Sequence, residues 1–303
     1  MTSKIQATTV VVALALAAGI SAPSFAATAE DCPNGGTVRF GVEPFDTAPK
    51  LLPIYDQIAK LISAKLNCNV EMQVTTSYNA EIEAMRSGKL EAGEFGPLGY
   101  VLAHQVAKAE AVAAYAQADG KPSVYWASIV VPAGSSIKTV EDLKGHTFAF
   151  SDPASTSGHL FPAYGMRKAG IDPDKDVKGI FAGSHTSSFE ALRNKKVDAG
   201  ELNSQQIESA KQRGAYKDGD YVFIWKSGDI PNDPIAVRGD LPAGFKARFT
   251  AVLQSIDLSG LSEADRKIID AEAPKLVPQT DSAYDQIRDL VKTLNIDLTK
   301  LDS

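Results

Sequence analysis

The stretch TFAFSDPASTSGHLFPAYGMRKAG (residues 147–170) runs from a strand through a turn into a helix. TFAFS (147–151) is short and apolar, as a buried strand is. The helical pattern begins near residue 157 and stops at Gly170, a residue suited to the left-handed backbone of a helix end. Between the two lie Ser155, Thr156, Ser157 and Gly158. A helix N-terminus has unpaired N–H groups and a partial positive charge. One hydroxyl is enough to cap it. Three adjacent hydroxyls beside a glycine make a set of donors for an anion, with no metal or lysine required.

The same grammar extends in both directions. TVRFGV (37–42), VEMQVT (70–75), LEAGEFG (90–96), AVAAYA (111–116) and VYWASIVV (124–131) read as strands. KLLPIYDQIAKLISAKL (50–66), AEIEAMRSG (80–88) and LGYVLAHQVAK (98–108) read as helices, the first with Ile54, Ile58, Leu61, Ile62 and Leu66 near helical spacing. Downstream, VKGIFAG (177–183), VDAGELN (197–203) and YVFIWKS (221–227) read as strands, with helices over 187–195 and 204–214 between them. GDIPNDPIAVR (228–238) is rich in proline and turn residues and reads as a crossing segment; everything after it reads as helix. Alternating strands and helices imply βαβ units and mostly parallel sheets. Two such sets joined by two extended segments predict an α/β protein of two lobes with a hinge, residues 36–124 plus 235–303 and residues 128–230. In open α/β sheets ligands sit at the carboxyl ends of strands. EFGP, SDPASTSG, AGSHTSS and VDAGE occupy such places.

Of 303 residues, 44% are hydrophobic and 22% charged, ordinary for a globular chain, and the formal charge of −6 comes with no polybasic tract for nucleic acid. Lys4, the apolar run TVVVALALAAGI (9–20) and the small residues of SFA (24–26) form a secretory signal, expected to be cut after Ala26. The run is too short to span a bilayer. Cys32 and Cys68 are the two cysteines, and in an exported protein they are expected to form a disulfide.

Three more residues carry chemistry at strand ends. His185 in AGSHTSS can donate to an oxyanion, although a loop histidine alone is usually just that. Asp198 in VDAGE can accept a ligand P–OH or amine and would repel a bare oxyanion such as sulfate; taken alone it reads rather as a surface turn aspartate. Tyr100 follows EFGPLG and can offer its hydroxyl, or pack half-buried in a core. Ser155 or Ser157 with His185 and Asp198 could be drawn as a hydrolase triad, but the chain has no G-x-S-x-G elbow. The histidines and cysteines show no metal-ligand spacing, and no P-loop is present. No metal, cofactor or reaction is expected.

Four segments in order, EFGPLGYVLA (94–103), YWASIVVPAGSSIKTVEDLKGHTFAFSDPASTSGHLFP (125–162), AGSHTSSFEALRNKKVDAG (182–200) and WKSGDIPNDPIAVR (225–238), resemble the PhnD-like periplasmic substrate-binding proteins of ABC importers. The resemblance implies a two-lobe periplasmic-binding-protein fold of type II, with the ligand cleft between the lobes and a helical C-terminus. It implies a phosphonate, phosphite or related oxyanion as ligand, and Ser155, Thr156, Ser157, His185, Asp198 and Tyr100 as its contacts. In the loop VEPFDTAP (42–49) it makes Glu43, Phe45 and Asp46 candidates for the wall that selects the ligand's tail. It further implies a monomer in the periplasm that serves permease subunits in the inner membrane. Some branches of the family bind arsenite for a sensor histidine kinase, which is the alternative use.

Overall fold

A computed structural model of the protein describes residues 32–294. The expected secretory signal lies outside the described residues. The first lobe is built on a six-stranded sheet. Strands β1 (Thr37–Val42), β2 (Asn69–Val74) and β3 (Ala92–Glu94) are linked by helices α1 (Ala48–Leu66) and α2 (Tyr78–Arg86). β1 pairs in parallel with both β2 and β3. Helix α3 (Pro97–Ala107) then leads to β4 (Glu110–Ala116). α1 forms because Leu51, Ile54, Tyr55, Ile58, Ile62 and Leu66 fall on one face, which is buried, and Pro49 sits in the first turn, where a missing N–H costs nothing. Asn67 ends it in the left-handed conformation (φ 56°), donating its N–H to the Ser63 carbonyl. Cutting Leu51, fully buried, to alanine would cost roughly 2–5 kcal/mol.

The chain crosses to the second lobe through β5 (Val124–Tyr125) and β6 (Ala127–Pro132). That lobe carries β7 (Thr147–Phe150), helix α4 (Phe161–Lys168), β8 (Lys178–Phe181), α5 (His185–Arg193), β9 (Ala199–Asn203), α6 (Ser204–Gln212) and β10 (Tyr221–Lys226). Its sheet has the order β10-β6-β9-β7-β8, with one apolar cluster on each face. The chain returns through β11 (Ile230–Pro231), which pairs with β5 between the lobes, and β12 (Ile235–Val237), which enters the first sheet beside β3 and β4.

Two details differ from the sequence reading. The sheets are mixed rather than mostly parallel. β12 arrives from the other lobe and runs antiparallel to β3 and β4, and β6 likewise runs antiparallel to β9 and β10. After α7 (Ala243–Leu253) and α8 (Glu263–Ile268) comes a strand, β13 (Ala273–Pro278), where only helix was expected; α9 (Asp285–Thr293) follows. Prolines at 274 and 278 hide this strand in the sequence, yet an edge position beside β4 tolerates them. The expected disulfide is present: Cys32 and Cys68 are bonded, with Cα atoms 5.8 Å apart, which ties the start of the described chain to the turn between α1 and β2.

Candidate functional site

The parallel strands of both lobes point their carboxyl ends at one cleft. The second lobe contributes the turn after β7, the start of α5 after β8, and the end of β9. The first contributes the loop after β1 (Glu43–Asp46), Tyr78 after β2, and Gly96–Leu98 after β3.

Ser155 is the N-cap of a π-helical turn (Thr156–Leu160) that runs into α4, and its Oγ accepts from Gly158 N at 3.1 Å. Pro162 has no N–H for the Gly158 carbonyl, which accepts from Ser151 N at 3.1 Å instead. A Cβ on Gly158 would lie 1.7 Å from Ser151 Oγ and 2.9 Å from the His185 ring. The glycine is therefore needed for packing; protein atoms already fill the space a side chain would take.

His185 opens α5, whose N-cap Ser184 accepts from Ser187 N at 3.1 Å. Its Nδ1 lies 2.9 and 3.0 Å from the two carboxylate oxygens of Glu201. Its Nε2 faces Ser155 Oγ at 3.3 Å, Ser157 Oγ at 3.5 Å and Asn203 Nδ2 at 3.4 Å. Asn203 has two uses: Oδ1 accepts from Gln206 N at 2.7 Å and caps α6, while Nδ2 donates to Ser157 Oγ at 3.0 Å. The Ser155, Ser157, His185, Glu201 and Asn203 side chains are buried. The Glu201 carboxylate can only accept, so it takes the hydrogen bond of Nδ1–H and the ring is held with Nε2 toward the hydroxyls. Ser155, His185 and Glu201 stand in the order of a hydrolase relay, but Ser155 Oγ is engaged as a helix cap and Ser157 Oγ takes the Asn203 amide.

The two lobes meet at the hydroxyl run. Thr156 Oγ1 accepts from Leu98 N at 2.8 Å, near the N-terminus of α3, and Glu43 Oε2 accepts from Gly96 N at 2.6 Å on the same helix end. Two helix N-termini thus converge across the cleft. The Tyr125 hydroxyl faces the Thr156 and Ser157 side chains. The buried Tyr78 hydroxyl and Ser151 Oγ have no hydrogen-bond partner among the described residues. Phe45 walls a residual cavity of about 10 Å³ with Asp46, His185, Asn203, Gln205, Gln206, Ser209 and Ile268.

Beneath the first-lobe wall lies a group of buried carboxyls. Burial, then the nearby Asp233 and Glu81, push Glu43 well above the usual carboxylate range. Burial does the same to Glu81, whose oxygens have no hydrogen-bond partner among the described residues, and to Asp233 beside Glu94. Burial raises Glu94 to about 7, although the Tyr55 and Tyr115 hydroxyls that donate to it at 2.8 and 3.1 Å hold it down. Groups held protonated in this way do not present the negative charge that would repel an anion.

Two expected contacts lie elsewhere. Asp198 precedes β9 and so sits at its amino end, exposed. Its Oδ2 accepts from Thr147 N at 2.9 Å and Thr147 Oγ1 at 2.7 Å, and these bonds hold its carboxyl below the ordinary range. Tyr100 is one turn into α3, directed away from the cleft. Its hydroxyl donates to Asp281 at 2.8 Å and accepts from Ala111 N at 3.2 Å, and its ring packs on Tyr284 with centroids 4.8 Å apart. Glu201 and Asn203 stand where Asp198 was expected, and Tyr78 and Tyr125 stand where Tyr100 was. Strand periodicity carried the signal for the first pair: positions 201 and 203 share a face and end the strand. Asn203 directly before a helix also reads as an N-cap, which conceals its second role.

The family model for "ABC transporter, phosphonate, periplasmic substrate-binding protein" matches residues 40–284. The "Phosphate-import protein PhnD" of Mycolicibacterium smegmatis is 29% identical over 278 residues, 86% of each chain. The "Phosphonates-binding periplasmic protein" of Escherichia coli is 30% identical over 208 residues, 67% of this chain and 61% of that one. A crystal structure of a binding protein component of an ABC phosphonate transporter from Pseudomonas aeruginosa superposes with a TM-score of 0.74 at 26% identity, covering 88% of this chain and 96% of that one.

Proposed function

Because the chain belongs to the family of periplasmic substrate-binding proteins of phosphonate ABC transporters, we propose that its cleft captures a phosphonate, phosphite or phosphate for import. The reading rests on one observation above all: His185 Nε2, Ser155, Ser157 and the Asn203 amide converge in a buried cleft at a helix N-terminus. Hydroxyls and amide N–H groups rotate or point to donate to oxyanion oxygens, and the α4-side turn and α3 add their N-terminal fields. Tyr78 and Ser151 supply hydroxyls that have no hydrogen-bond partner among the described residues. Closing the lobes removes water from the oxyanion, which strengthens every one of these contacts.

In this reading the protein works in the periplasm after loss of its first residues, and the closed, loaded form is what the permease subunits receive. The relatives reported above are transport proteins, and nothing in the site favours the sensor use. Asp198 takes no part in reading the ligand's proton. Titration calorimetry of the mature protein with phosphite, methylphosphonate, 2-aminoethylphosphonate, phosphate and arsenite tests the assignment. Saturable binding of at least one phosphorus oxyanion, lost in His185→Ala, is expected. Binding of arsenite in preference to all of them would favour the sensor use.

A further inference from the structure

The loop after β1 reaches across the mouth of the cleft and ends in a single carboxylate. Asp46 belongs to the first lobe, yet most of its partners belong to the second. Oδ1 accepts from Thr186 Oγ1 on α5 at 2.7 Å. Oδ2 accepts from Ser209 Oγ on α6 at 2.5 Å. Arg213 Nη1, at the C-cap of α6, lies 3.2 and 3.3 Å from the two oxygens. Lys50 of the first lobe completes the cluster, 2.7 Å from Ser209 Oγ and 3.6 Å from Asp46. Asp46 is 2% exposed, so its charge is compensated almost wholly by these groups. Its hydrogen bonds outweigh the effect of burial and hold its carboxyl below the ordinary range, so it stays ionised at neutral pH.

We infer that Asp46 is the clasp of the closed state, a positioning residue that acts through lobe closure and sets how long a captured ligand stays. Hydrogen bonds to an ionised group are the strong ones, and here several of them join helices of one lobe to a loop of the other. They exist only when the lobes are together. They therefore favour the closed form by their own free energy and add nothing to the first encounter of ligand with the open form. Position reinforces the point: Asp46, Ser209 and Phe45 line the same small cavity as His185, so the clasp lies next to the anion site. The other bridge described above, Leu98 to Thr156, involves a residue of the hydroxyl run itself. The clasp can be cut without touching that run.

The test uses the mature protein with phosphite and methylphosphonate as probes. Stopped-flow fluorescence measures association and dissociation rates for the wild type, Asp46→Ala and the nearly isosteric Asp46→Asn. Asp46→Ala is expected to raise the dissociation rate by roughly tenfold or more without slowing association. Thr186→Val should have a smaller effect that nearly vanishes when added to Asp46→Ala, because both cut the same contact. Small-angle X-ray scattering of the protein without added anion should show a larger radius of gyration for Asp46→Ala than for the wild type. An unchanged dissociation rate, additive effects of the two substitutions, or equal radii would overturn the clasp. Because scattering needs no ligand, it judges the clasp even if neither probe binds, an outcome that would count against the proposed function instead.

Discussion

Glu201 presents both carboxylate oxygens to Nδ1 of His185, at 2.9 and 3.0 Å, with both side chains buried. The pair lies one residue layer behind the hydroxyl run, and it decides what the histidine can offer the cleft. With Nδ1 committed to a carboxylate, Nε2 is the atom left to face a ligand oxygen. Glu201→Gln keeps an acceptor for Nδ1–H and weakens the charge-assisted hydrogen bond that orients the ring. Affinity for the phosphorus oxyanion should fall about tenfold at neutral pH, about 1.4 kcal/mol. Calorimetry checks this; an unchanged dissociation constant would mean that the pair serves packing alone.

Asp198→Asn should leave anion binding within about twofold of the wild type. The exposed carboxyl is engaged with Thr147 at the amino end of the sheet. Tyr100→Phe should likewise spare binding while lowering stability by roughly 1–2 kcal/mol, since it strands the hydroxyl's partners at Asp281 and Ala111. A loss of affinity in either variant without a loss of stability would return that residue to the site.

These two residues show where the sequence is legible and where it is not. The strand–turn–helix rhythm reports the fold because apolar periodicity follows directly from burial, as α1 and β1 illustrate. The hydroxyl run and His185 are legible because several donors cluster at the strand-to-helix turns. Asp198 misleads because the strand begins after it: β9 spans Ala199–Asn203, so the residue read as a strand end stands before the strand's start. Glu201 is hard to assign for another reason. A charged residue inside a strand reads as solvent-facing, and only the fold shows that His185 lies against it. The strand β13 is masked by prolines that an edge tolerates, and the mixed sheet by a crossover whose direction no local pattern records.

Stability should decline from mildly acidic to alkaline pH. Glu94 and Asp270 are held protonated by burial up to about 7 and about 8, whereas the same carboxyls in the unfolded chain ionise in the ordinary acid range. A raised carboxyl favours the fold below its unfolded value, and that contribution is lost as pH rises to the folded one. For Glu94 the loss is on the order of 3 kcal/mol. Thermal melts should give a higher Tm near pH 5.5 than near pH 8.5, and Glu94→Gln should flatten the slope. A Tm that rises over this range would contradict the assignment of these groups as protonated.

Reducing the bond between Cys32 and Cys68, which are 36 positions apart, should cost about 4 kcal/mol by the chain-entropy model while leaving the cleft intact. Denaturant unfolding with and without reductant measures the cost, and calorimetry on the reduced protein should return the same dissociation constant. A reduced protein as stable as the oxidised one would assign the bond no structural role.

The most direct test of the account is calorimetric titration of phosphite, methylphosphonate and phosphate into the wild type and His185→Ala. His185 gathers Ser155, Ser157 and Asn203 around one nitrogen, so its removal should weaken binding by 1.5–3 kcal/mol, roughly ten- to a hundredfold, with the fold preserved by circular dichroism. Equal affinity in the two proteins, or no binding of any phosphorus oxyanion by the wild type, would contradict the placement of an oxyanion site in this cleft.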